Sequence, residues 1–78
     1  MVNTALLRKA IDDRGVMLQA LMKALDIKAY STIRMKINGE TEFTASEIMK
    51  LCDFLHIPED EREKIFFAKE TEFNSVAG

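Results

Sequence analysis

The stretch from Leu18 to Gly39 constrains the fold most, because it carries one apolar stripe that is broken and then resumed. Leu18, Leu21, Met22 and Leu25 recur at helical spacing, which predicts an amphipathic helix of roughly two turns. Asp26-Ile27-Lys28 interrupts the pattern, and Tyr30, Ile33 and Ile37 take it up again. Asn38-Gly39 follows, the kind of pair found where a helix ends in a left-handed residue. Two short helices joined by a sharp turn are therefore expected, and the rest of the chain reads as their support.

The N-terminal support is a helix with Asn3 or Thr4 as N-cap and Leu6, Leu7, Ala10 and Ile11 as its expected buried face, ended by Gly15. Arg8, Lys9 and Arg14 lie off that face; solubility is their expected role, with phosphate contact as the lesser alternative. Val16 is expected to enter the core beside the second helix. After the central pair, Thr44-Ala45-Ser46-Glu47 forms a capping box, and Phe43 with Ile48 a hydrophobic staple. Ile48, Leu51, Cys52 and Leu55 then face inward, with Cys52 as a small buried hydrophobe because no second base is present to activate it. His56 stands where a helix would end in Gly, so it is expected at positive φ.

Pro58 suits the first turn of a fifth helix, whose Glu59, Asp60 and Glu61 complement the helix dipole. Ile65, Phe66 and Phe67 cannot all face inward from one helix. Phe66 or Phe67, together with Phe54, is expected to form an exposed patch, either the lid of a small core or a dimer surface. Residues 68–78 show no persistent period and are expected to be a flexible tail after a domain spanning 1–67, with Phe73 a candidate for docking. The expectation is an all-α domain of five helices, with Leu21, Leu25, Ile33, Ile37, Ile48, Leu51 and Leu55 in one interior.

Composition excludes several classes. A chain of 78 residues is one domain, which buries only about 60% of its unfolded surface. No apolar run approaches the roughly 18 residues of a membrane span, and no hydrophobic leader is evident, so a cytoplasmic location is expected. One cysteine excludes an internal disulfide, and one histidine beside it cannot complete a zinc site. There is no glycine-rich phosphate loop and no Ser/His/Asp set, so no enzyme, cofactor or small-molecule substrate is expected. The net charge of −2 conceals an asymmetry: residues 1–39 carry seven Lys/Arg against three Asp, residues 40–78 four Lys/Arg against ten Asp/Glu. That distribution fits a basic face within an acidic protein, and equally two ordinary solvated faces.

Leu21, Leu25-Asp26-Ile27, Ser31-Thr32-Ile33 and Lys36-Ile37-Asn38-Gly39, followed by Phe43-Thr44 and Glu47-Ile48, resemble the DNA-binding domain of the Cro and phage-repressor (XRE) helix-turn-helix family. The likeness runs from about Leu6 to Phe67 and lies in order and spacing rather than in any single residue. It implies a compact five-helix bundle of the lambda-repressor-like type that binds double-stranded DNA and regulates transcription, as a phage- or prophage-type repressor. With Ile33 and Ile37 inward, Ser31, Thr32, Arg34 and Met35 fall on or near the outward face of the third helix, with Tyr30 at its start and Lys36 on its flank. The resemblance makes Tyr30, Ser31 and Arg34, with Met35 beside them, candidates to read base edges. Arg34 is suited to a bidentate contact with guanine. Lys36 and Asn38 match positions that more often meet the phosphate backbone, and Lys28 in the turn joins the candidate set. Tyr30 as a core-edge aromatic and Arg34 as a merely solvated cation are the competing readings.

The chain also departs from the family. Met17 and Leu18 stand where a Ser or Thr cap and a phosphate-binding Gln are usual; Gln19, about 100° further round the helix, is the nearest substitute. Met22 replaces a small Ala, Asp26 replaces the Gly of the turn, and the turn is one residue longer, which would rotate the third helix unless the loop absorbs it. Glu40 and Glu42 stand where Lys or Arg is common and would repel phosphates, which makes a homodimer the expected route to useful affinity. The alternative function is a protein-interaction or dimerisation module with the third helix idle. A basic surface around that helix would favour DNA, and an apolar one the alternative.

Overall fold

The computed structural model describes residues 2–67, and the expected tail at 68–78, with Phe73, lies outside them. Five helices follow in order: α1 Thr4–Asp13, α2 Leu18–Leu25, α3 Tyr30–Ile37, α4 Ala45–Leu55 and α5 Glu59–Phe66. No strand occurs among the described residues. Helix α2 packs on α3 and α4, while α1 packs on α3 and α5.

Side chains cap two of the starts. The Leu6 N–H donates to Oδ1 of Asn3 at 3.1 Å. At α4 the reciprocal box is complete, Glu47 N–H to Thr44 Oγ1 at 3.1 Å and Thr44 N–H to the Glu47 carboxylate at 2.9 Å. Met17, Ala29 and Pro58 cap the other three without a side-chain bond. Pro58 thus precedes α5 rather than lying in its first turn.

Helices α1 to α4 end in one and the same device. A residue at positive φ (Gly15, Asp26, Gly39, His56, at 64°, 60°, 85° and 57°) turns the chain back. The next N–H then returns to a carbonyl five residues earlier: Val16 to Ile11, Ile27 to Met22, Glu40 to Met35 and Ile57 to Cys52, at 2.9–3.3 Å. These paired bonds satisfy helix-end carbonyls that would otherwise be orphaned. Three of the four following residues are apolar, and Ile27 and Ile57 are driven into the core by the turn.

Leu21, Leu25, Ile33, Ile37, Leu51 and Leu55 are buried together, and Ile48 packs against them half-exposed. Leu7, Ala10 and Ile11 are buried from α1, but Leu6 is 36% exposed, so the buried stripe of α1 is narrower than expected. Phe66 is buried edge-on against Phe43, ring centroids 6.1 Å apart, whereas Phe67 stays exposed. Cys52 is 1% exposed, and burial pushes its thiol pKa up, which favours the thiol over the thiolate. Arg14 corrects the expectation of a solvated side chain: its Nε donates to the Leu55 carbonyl at 2.6 Å and its Nη1 to that of Ala10 at 3.0 Å, with Glu61 3.5 Å away. It ties α1 to the ends of α4 and α5. The Asn3 N–H closes the other end on the Ile65 carbonyl at 2.6 Å.

Candidate nucleic-acid interface

The longer turn leaves Ile33 and Ile37 buried. Residues 26–29 make the connection, and α3 begins at Tyr30. Helical geometry then turns Tyr30, Ser31, Thr32, Arg34 and Met35 outward, and all five are exposed. Tyr30 is 51% exposed and borders a groove that Ile11, Val16 and Ile37 also line, so half of it is open to solvent. The Arg34 guanidinium lies 5.9 Å from the Tyr30 ring centroid, the i,i+4 placement at which a cation meets an aromatic face.

The remaining candidates fall into two groups. Tyr30, Arg34 and Asn38 line a groove of about 250 Å³ together with Arg8 and Asp12 and the apolar Ile11, Val16 and Ile37. Among these, Arg8 Nη2 donates to Oδ1 of Asn38. Gln19 and Lys28 border a second depression, on the α2 side, together with Lys23 and Asp26. Lys28 is exposed, its ammonium 3.6 Å from the Asp26 carboxylate.

Lys36 is not placed with them. Its side chain is only 12% exposed and its ammonium lies 3.0 Å from the Glu47 carboxylate. The same ammonium donates to the Glu42 carbonyl at 2.9 Å and sits 5.9 Å from the Phe43 ring. A cation held by that many partners is turned from the flank of α3, where it was expected, toward the start of α4. For Glu47, burial alone raises the carboxyl, but hydrogen bonds from the Thr44 N–H and from Lys36 outweigh it, so the pKa sits below its ordinary 4.5.

The surface around α3 is mixed in charge. Arg8, Lys23, Lys28 and Arg34 are interrupted by Asp12 and Asp26, and Glu40 and Glu42 border Asn38 from the far side. Arg8, expected above to serve solubility with phosphate contact as the lesser alternative, and Lys23, not among the candidates, both border this surface. Lys23 was legible, since it follows Gln19 by one helical turn; the contact of Arg8 was not, because only the packing of α1 on α3 brings it to Asn38.

What the fold and this face define is a helix-turn-helix domain with an exposed second helix. Residues 6–61 match the family model described as the Cro/C1-type HTH DNA-binding domain, and the chain belongs to that family. No curated protein and no solved structure matches it. Among the described residues no helix is long and apolar enough to cross a membrane, and no group of His, Cys, Asp and Glu is placed to hold a metal ion.

Proposed function

We propose that this domain binds double-stranded DNA sequence-specifically by laying α3 in the major groove, and that it serves in the cytoplasm as a repressor-like transcription regulator of the phage or prophage type. The observation that carries the reading is the exposed face of α3, where Tyr30, Ser31, Thr32, Arg34 and Met35 are open to solvent while Ile33 and Ile37 anchor the helix. Arg34 and Ser31 supply donors for base edges, and Met35 an apolar contact for a thymine methyl. Asn38, Gln19 and Lys28 meet phosphates at the margins and set the register. Lys36 braces α3 against α4 instead. No catalysis or cofactor enters this reading.

A homodimer belongs to the same proposal. Phe54 and Phe67 are 40% and 49% exposed, and a single short helix flanked by Glu40 and Glu42 has little charge with which to hold DNA. A two-fold dimer presents its reading helices about 34 Å apart, one turn of duplex, and doubles the contacts. Selection from a randomised duplex pool, followed by affinity at several salt concentrations, tests the whole reading. A palindromic motif whose affinity falls with salt is expected. Recovery of no preferred sequence would leave the protein-interaction alternative, which the exposed aromatics favour.

A further inference from the structure

Asn38 sits half-buried at the end of α3, and its carboxamide oxygen accepts from Arg8 of α1, thirty residues earlier in the chain. A guanidinium carries donors only, whereas a carboxamide has an acceptor at one end and two donors at the other. The bond therefore admits one orientation of the amide, with Oδ1 toward α1 and the NH2 away from it. The backbone beside it is equally constrained: Gly39 has φ +85°, and a Cβ there would come within 3.2 Å of Thr4 Cγ2. Asn38 also borders the depression that contains Glu40 and Glu42, so an acceptor turned outward at this point would add to a run of acceptors.

We infer that Arg8 is a positioning residue for DNA: it turns the Asn38 carboxamide so that its NH2 group, and not its oxygen, donates to a backbone phosphate beside α3. This rests on the proposed reading of α3 as a DNA-binding helix. The NH2 is the one donor group that the Asn38 side chain can offer a phosphate oxygen. In this inference Arg8 acts through Asn38, with one of its guanidinium N–H groups holding the amide oxygen.

A double-mutant cycle on the selected duplex tests it, with Arg8→Met, Asn38→Ala and the two combined. Lys9→Gln, on the same helix and paired with Asp13 at 2.9 Å, controls for the lost charge. Asn38→Ala is expected to weaken binding about tenfold, the scale of one hydrogen bond to a charged group. Arg8→Met should lose more than Lys9→Gln, the double variant should bind like Asn38→Ala after the charge correction, and Arg8→Lys, which keeps a donor, should restore most of the loss. Asn38→Asp, which keeps the Arg8 acceptor but turns an oxygen outward, should bind worse than Asn38→Ala. In the free protein, Arg8→Met should shift the Asn38 side-chain NH2 resonances in a ¹⁵N spectrum while the core resonances stay in place. Additive losses in a parent that binds DNA would show that Arg8 meets phosphate directly and overturn the inference alone. A parent without affinity for any duplex would overturn the DNA reading, and the inference with it.

Discussion

Lys36 and Glu47 form an ion pair of 3.0 Å in which the two side chains are only 12% and 18% exposed, joining the last turn of α3 to the first turn of α4. The pair is inseparable from the α4 cap, because the same carboxylate oxygen accepts the Thr44 N–H. Removing either partner strands the other in a poorly hydrated place, so Lys36→Ala and Glu47→Gln are each expected to cost about 1–3 kcal/mol. Urea unfolding measures it. The pH dependence follows from the lowered Glu47 pKa: its contribution is complete above the ordinary value of 4.5 and is lost as pH falls through the lower folded value. Glu47→Gln should flatten that acid limb, and an unchanged limb would mean the pair carries no stability.

Leu51 is fully buried in α4, the helix on which α2 rests. Leu51→Ala is expected to lose about 2–5 kcal/mol through lost transfer energy and the cavity left behind. For a domain of this size that is a large share of the total. Thermal unfolding of the variant at the parent temperature would contradict the assigned core.

His56 holds φ at 57° without the freedom of a glycine, at the turn that drives Ile57 inward. An L residue in this region carries a backbone cost of about 1 kcal/mol, so His56→Gly is expected to raise stability by roughly that amount. Asp26, at φ 60°, should gain less, since a short polar side chain tolerates the region better. A lower melting temperature for His56→Gly would show that the imidazole contributes more than the strain it bears.

Sedimentation at micromolar concentration tests the dimer. A two-fold species is expected, and Phe67→Asp or Phe54→Asp should convert it to monomer with little change in melting temperature, because both rings are already exposed. A strict monomer, free and on DNA, would remove the dimer from the account.

Much of this architecture was legible because it is local. The stripes at Leu21, Leu25, Ile33, Ile37 and Leu51 follow helical period, and Asn3, Thr44-Glu47 and His56 mark ends by chemistry that acts within four residues. Ile27 and Ile57 stand outside every helical stripe, yet are buried, because the left-handed residue before each reverses the chain. The partners of Arg14, Lys36 and Arg8 were not legible, for a common reason. Each is a long cation on a local outward face whose partner comes from another element: Leu55, Glu47 and Asn38. Leu6 erred the other way, since the narrow contact of α1 with its neighbours leaves one edge of its apolar stripe uncovered.

The central claim is that α3 reads base sequence, and the most direct measurement compares Arg34→Ala with the parent on the selected duplex and on random duplex. Arg34 is exposed, beside Tyr30, and its loss should leave the fold intact. If it meets a guanine edge, affinity for the selected site should fall by about 1–3 kcal/mol and preference at one base pair should relax, with random duplex bound nearly as before. An equal loss on both duplexes would assign Arg34 to phosphate. No loss on either would show that α3 is not a reading helix.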